Sequence, residues 1–131
     1  MSSLILIVDD NPVNLKLAAN VLEMEGYEID QAMDAEVAQE ILIHSTPDLI
    51  LMDIALPGMD GLTLTRKLKA DNRLKHIPVI ALTAFAMKGD EQKASVAGCD
   101  GYITKPIDTR KLPQLVAELL RKSKGVGGES M

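Results

Sequence analysis

Apolar positions along the chain alternate between two periods. Leu4–Val8 is an unbroken apolar run, as expected for a parallel strand covered on both faces. Across Asn14–Glu25 the spacing becomes helical, with Leu15, Ala18, Ala19 and Leu22 on one face and Gly26 as a C-terminal stop. Tyr27–Ala32 alternates, Tyr27 and Ile29 against Glu28 and Asp30, which predicts an edge strand with one wetter face. Ala35–His44 reads as a helix with Asp34 as N-cap and Ala38, Ile41 and Leu42 on one side. Asp48–Met52 is the next buried strand, and "DIALPGMDG" a loop in which Pro57, Gly58 and Gly61 shape a turn. Leu62–Lys69 predicts a short helix, Pro78–Leu82 a fourth strand, Thr83–Gly89 a loop and Asp90–Ala97 a weakly apolar helix. Gly101–Thr104 is a short fifth strand. Leu112, Leu115, Val116, Leu119 and Leu120 mark the last helix, capped by Asp108 or Thr109, with Pro113 near its first turn, where a missing N–H does least harm.

Five strands alternating with five helices imply an α/β fold, a doubly wound five-stranded parallel sheet. The wetter second strand belongs on an edge, which gives the order 2-1-3-4-5. Residues 1–122 are expected to form one domain and residues 123–131, "SKGVGGESM", a flexible tail without a core-forming pattern.

The chain of 131 residues, 47% apolar and 25% charged, has the composition of a globular domain. Its net charge of −5, with no basic patch and one Phe and two Tyr for stacking, argues against nucleic acid as a partner. No apolar run is long enough to cross a membrane, and no signal segment opens the chain, so a cytoplasmic location is expected. The single cysteine, Cys99, excludes an intramolecular disulfide and fits a reducing compartment as a small buried or half-buried thiol. His44 and His76 lack ligand spacing and read as surface residues. Met24, Met33, Met52, Met59 and Met87 read as packing or loop fillers.

The chemistry collects at the carboxyl ends of the strands. In a sheet of this order, ligands sit there, near the switch between strands 1 and 3. Strand 1 is followed by Asp9 and Asp10, strand 3 by Asp53, strand 4 by Thr83 and strand 5 by Lys105. Three carboxylates side by side raise each other's pKa and call for a cation. Oxygen donors without His or Cys suit a hard ion such as Mg²⁺. Lys105 is then either a counter-charge for the aspartates or the receptor of an anion that arrives with the metal; a phosphoryl group fits the second role, with Thr83 donating a hydrogen bond. Pro106 permits a cis bond that would aim Lys105 inward.

"VDD" at 8–10, "LILMDIALPGMDG" at 49–61, "VIALTA" at 79–84 and "YITKP" at 102–106 stand in the order and on the strands of one known pattern. The chain resembles, over residues 4 to 122, the receiver domain of two-component response regulators. Its chemotaxis member is itself an example of the strand-order rule, so fold and family are a single inference. The resemblance implies that Asp53 is the phosphoacceptor, and that Asp10, Asp53 and the backbone carbonyl of Ala55 ligate Mg²⁺ (or Mn²⁺ or Ca²⁺ in its place). It further implies that Asp9 acts through a metal-bound water, that Thr83 and Lys105 hold the phosphoryl oxygens, and that Thr83 and Tyr102 form a switch. It implies a histidine kinase or histidine phosphotransfer protein as phosphodonor. It also implies a downstream signalling protein bound through helix 4, strand 5 and helix 5. "DDNPVNLKL" and "TAFAMKGDE" are most similar to single-domain receivers of bacterial cell-cycle and differentiation circuits. The expected role is a phospho-switch without an output domain, not an enzyme.

Two other classes fit the sequence less well. An Mg²⁺-dependent phosphatase with an aspartyl-phosphate intermediate needs a second carboxylate shortly after the nucleophile as general acid/base, and the position two after Asp53 is Ala55. A flavin-binding module would want a Ser/Thr/Gly-rich phosphate loop after strand 1, and "DDNPVN" has the wrong charge. Ala55 and Phe85, flanking the site without hydrogen-bonding groups, predict a long-lived acyl phosphate, because hydrolysis needs a placed water.

Overall fold

The computed structural model describes residues 3–56, 59–83 and 90–129, with the backbone alone at 90, 91 and 124–129. Pro57, Gly58, Phe85 and Met87, singled out from the sequence, lie outside the described residues. Five strands, β1 (Leu4–Val8), β2 (Glu28–Ala32), β3 (Leu49–Asp53), β4 (Val79–Thr83) and β5 (Gly101–Thr104), alternate with five helices. The helices are α1 (Pro12–Glu23), α2 (Ala35–His44), α3 (Gly61–Ala70), α4 (Asp90–Ala97) and α5 (Lys111–Glu129). The strands are all parallel in the order β2-β1-β3-β4-β5, the predicted topology.

The continuous apolar runs are explained by two cores. Ile5 and Ile7 of β1, Leu49 and Leu51 of β3, and Ile80 and Leu82 of β4 face α1 and α5, meeting Leu15, Leu22, Leu112 and Val116. The intervening Leu6, Val8, Ile50, Met52 and Val79 face α2 and α3, meeting Ala38, Leu42, Leu64 and Leu68. A strand buried on both faces has no polar position to spare, hence no alternation. β2 pairs only with β1, and its Glu28 and Gln31 are exposed, while Tyr27 and Ile29 pack against the first core. His44 and His76 are exposed. Met52 is buried and Met59 packs on the second core, whereas Met24 and Met33 are open to solvent. Cys99 is half-buried, and burial pushes its thiol pKa up, which suits an inert thiol.

Several element ends differ from the sequence reading for local reasons. α1 starts at Pro12, two residues early, because Asn11 caps it: the Asn11 side-chain oxygen accepts from Val13 N at 2.9 Å and Asn14 N at 3.3 Å. Pro12 takes the first helical position, where no N–H is needed. Gly26, at φ +94°, ends the turn after this helix as expected. Asp34 caps α2 by accepting from Val37 N at 2.9 Å. Asp108 caps the start of α5, accepting from Arg110 N and Lys111 N at 2.8 and 3.1 Å, which decides between the two candidates there. The α5 backbone is helical through Glu129. Asn11→Ala should cost about 1 kcal/mol of unfolding free energy by loss of this cap. Urea denaturation measures it, and an unchanged midpoint would show that the cap bonds are offset by water.

Candidate phosphoacceptor site

β1 and β3 are neighbours, and both end at the same edge of the sheet. Asp9 follows β1, its N–H donating to Ala32 O at 3.0 Å as the last rung towards β2. Asp53 is the last residue of β3 itself, in register with Leu82, and Thr83 is the last of β4 rather than the first of a loop. Both strands run one residue further than predicted because the ladder continues: Ile54 N donates to Leu82 O at 3.0 Å and Lys105 N to Thr83 O at 2.6 Å. Apolarity marks where a strand is covered, not where its hydrogen bonding stops.

The side chains meet as follows. Lys105, carried just past β5 and followed by a cis bond to Pro106, sends its ammonium between two aspartates. Nζ lies 2.9 Å from Asp53 Oδ2, to which it donates a hydrogen bond, and 2.9 Å from Asp9 Oδ2. The second contact is an ion pair off the hydrogen-bond direction, and Asp9 Oδ2 takes no hydrogen bond from any described residue. The other oxygens are taken by the following backbone: Asn11 N donates to Asp9 Oδ1 and Ala55 N to Asp53 Oδ1, each at 2.9 Å. These two tight turns hold each carboxylate over its own strand end. Asp9, Asp53 and Thr83 are buried, at 1, 2 and 2% exposure, whereas Asp10 is open to solvent. One carboxylate oxygen from each of Asp9, Asp10 and Asp53 falls within 4.8 Å of the others. Beside them is an open cleft of ≈ 440 Å³ lined by Asp10, Asn11, Pro12, Asn14, Asp53, Ala55 and Lys105.

The charges are mutually dependent. Burial pushes the Asp9 carboxyl up, the Asp53 charge adds to this, and the Asn11 N–H and Lys105 oppose it. Burial would lower the Lys105 pKa, but the two aspartates together outweigh it and hold the ammonium above its ordinary value. Two buried acids therefore share one lysine beside a third, exposed acid, and Asp9 Oδ2 takes no hydrogen bond among the described residues. An all-oxygen donor set with surplus negative charge and one open face suits a hard, partly hydrated divalent cation.

Thr83 and Tyr102 sit on adjacent strands. Tyr102 is opposite Ala81, and Thr83 lies two residues on, so the two share a sheet face as diagonal neighbours. Tyr102 is half-buried. Two residues at the site were not found from the sequence. Asn11 joins the Asp9 turn to the α1 cap, a role the Asn-Pro dipeptide signals. The sequence predicts that Gly61 shapes a turn; it sits instead at the start of α3 against the Asp53 backbone.

The sequence matches the response regulator receiver domain over residues 5–117. The chain belongs to this family. The receiver is 44% identical over 120 residues to the polar-differentiation response regulator DivK of Brucella anthropi, covering 92% of this chain and 98% of the relative. DivK of Brucella abortus is equally similar, with the same coverage. Among solved structures, a putative response regulator from Chloroflexus aurantiacus superposes with a TM-score of 0.88 at 30% identity, covering 92% of this chain and 98% of that one. The receiver domain of the sensor histidine kinase PA1611 from Pseudomonas aeruginosa, described with a magnesium ion coordinated in its active-site cleft, gives 0.84 at 33%, with the same coverage. The receiver is thus a DivK-like, CheY-like signalling domain of a family that works by phosphorylation, a switch rather than a conventional enzyme. None of its described helices is long and apolar enough to cross a membrane.

Proposed function

We propose that the receiver accepts a phosphoryl group on Asp53 in a Mg²⁺-dependent reaction and signals by phosphorylation-dependent binding of another protein in a two-component phosphorelay. The observation that carries this reading is the Lys105 ammonium held 2.9 Å from both Asp9 and Asp53 beside a third carboxylate, Asp10, that opens onto the cleft. The phosphodonor is the phosphohistidine of a histidine kinase or histidine phosphotransfer protein, and a cytoplasmic location goes with it. A carboxylate oxygen of Asp53 forms the bond to phosphorus as the phosphorus–nitrogen bond of the donor breaks, and the electron pair stays on the imidazole nitrogen.

Asp10, Asp53 and the carbonyl of Ala55 would hold Mg²⁺, with Asp9 acting through a water; Mn²⁺ or Ca²⁺ would substitute. When bound, the ion supplies positive charge that offsets the acids against the incoming phosphoryl oxygens. The chain's own residues do the rest. The Ala55 N–H fixes the rotation of the Asp53 carboxylate, and Lys105 orients it and receives a phosphoryl oxygen as charge arrives. Thr83, at the neighbouring strand end, donates to another. Acetyl phosphate with and without Mg²⁺ tests the reading by intact mass. One phosphoryl group should be gained only with Mg²⁺, and no gain at saturating metal would rule the reading out.

Output is assigned to the surface of α4, β5 and α5. If Thr83 turns to the phosphoryl group, it vacates space on the sheet face it shares with Tyr102, which gives a two-state element linking site and surface. In the wild type, phosphorylation should tighten binding to the downstream signalling protein by roughly 5- to 150-fold. Thr83→Ala and Tyr102→Ala should shrink that gain. An equal gain in all three proteins removes these residues from the switch.

A further inference from the structure

We propose that the first turn of α3 is the seat that positions Asp53, with Gly61 as the positioning residue and Thr65 as its anchor; this rests on the reading that Asp53 takes the phosphoryl group. A Cβ at Gly61 would fall inside contact distance of the Asp53 carbonyl oxygen, and 2.8 Å from both the Asp53 carbonyl carbon and the Ile54 Cα. All three are backbone atoms, so no side chain can rotate away. Nor is the strand end free to retreat. Asp53 is in register with Leu82, and Ile54 N donates to Leu82 O at 3.0 Å on one side, while Gly61 N donates to Ile54 O at 3.4 Å on the other.

The helix is tied down equally. Asp60 caps it by accepting from Thr63 N at 2.8 Å. The fully buried Thr65 donates its hydroxyl to Gly61 O at 2.8 Å, while Leu64 buries the same turn in the second core. The Asp53–Ile54 peptide is therefore clamped between a strand and a helix end, and only a hydrogen atom fits in the gap. The consequence reaches the carboxylate through the turn that follows: Ala55 N, one peptide on, holds Asp53 Oδ1 at 2.9 Å. A side chain at 61 must lift α3 or tilt this peptide, and either displaces the carboxylate from Lys105 and from the other two acids. Gly61 is needed here for space rather than for a left-handed φ, since the only described glycines with positive φ are Gly26 and Gly98.

The full chain is compared as wild type, Gly61→Ala, Thr65→Val, Thr65→Ser and Leu68→Ala, each under conditions in which urea titration shows it folded. Three readouts are taken: the Ile54 and Ala55 amide resonances without metal, Mg²⁺ affinity by calorimetry, and the initial rate of phosphoryl uptake from acetyl phosphate. Gly61→Ala should move both resonances, weaken Mg²⁺ on the order of tenfold and slow uptake roughly 100-fold. Thr65→Val should act in the same direction by roughly threefold, the change a lost hydrogen bond corresponds to, and Thr65→Ser should restore it. Leu68→Ala lowers stability through the same helix but should leave all three readouts near wild type.

The inference is overturned if a folded Gly61→Ala keeps wild-type resonances and rate, or if Leu68→Ala reproduces its losses. Should Gly61→Ala fail to fold, unchanged readouts in Thr65→Val overturn it. A wild type that takes up no phosphoryl group defeats the phosphoacceptor reading instead, and the resonances and Mg²⁺ affinity still decide the positioning role.

Discussion

Asp53→Asn is expected to take up no phosphoryl group from acetyl phosphate at any Mg²⁺ concentration, with its fold intact. Neither neighbouring acid stands where it could substitute. Asp9 is buried at 1% exposure, with Oδ1 engaged by the Asn11 N–H and Oδ2 turned to Lys105. Asp10 is exposed and lacks the lysine contact that holds Asp53. Asp53 alone combines burial, a carboxylate fixed by a backbone amide and a cation on its second oxygen, in a position lining the cleft. Preorganisation of this kind is where most of the rate of such a transfer comes from. The amide is nearly isosteric and its one oxygen can still accept from Ala55 N, while its NH₂ group cannot accept from Lys105, whose ammonium keeps the Asp9 contact; urea titration of the variant separates a lost phosphoacceptor from a lost fold. Asp10→Ala separates the roles: Mg²⁺ affinity should be lost while Asp53 itself remains in place. Full labelling of Asp53→Asn, read by intact mass and peptide mapping, would sink the assignment.

Lys105→Met should destabilise the metal-free receiver by about 3–5 kcal/mol, the range for removing one partner from a buried ion pair. The lysine side chain is 13% exposed and those of Asp9 and Asp53 are 1 and 3% exposed, so the screening that makes surface pairs worth little does not apply. What the substitution leaves is worse than a lost attraction. Two carboxylates face each other in a buried place without the lysine's charge, and among the described residues Asp9 Oδ2 already takes no hydrogen bond. Mg²⁺ should recover part of the loss, because the ion takes over charge that the lysine balanced. Asp9→Asn combined with Lys105→Met should also recover part, because it removes one of the two acids. Urea unfolding with and without Mg²⁺ measures all of this. A loss below about 1 kcal/mol in the single variant would mean that Lys105 behaves as a solvated surface amine.

The alternation of strands and helices was legible because it is written in near neighbours. A strand buried on both faces must be apolar throughout, so Leu4–Val8 appears in the sequence and in the structure with the same bounds. Caps are equally local: Asp34 before Ala35 and Gly26 after the first helix act on groups a few residues away. The wetter Tyr27–Ala32 segment placed β2 on the edge, and that one placement put the ends of β1 and β3 side by side. From there the polar residue at each strand end was enough to nominate Asp9, Asp10, Asp53, Thr83 and Lys105.

What the residues do to one another was not legible. That a single ammonium lies 2.9 Å from two acids depends on where β5 ends relative to β1 and β3, and Lys105 is 52 residues from Asp53. That Asp53 and Thr83 belong to their strands depends on the ladders from β3 to β4 and from β4 to β5, which apolarity does not record. Gly61 is the clearest case. In the sequence it is one of two glycines in a loop, and a turn is the economical explanation. Its reason lies in the packing of α3 on the end of β3, which leaves room for hydrogen and nothing larger against the Asp53 carbonyl. Periodicity and capping are properties of a segment and survive in one dimension; clearance and charge balance are properties of surfaces brought together by the fold, and arise only when those surfaces meet.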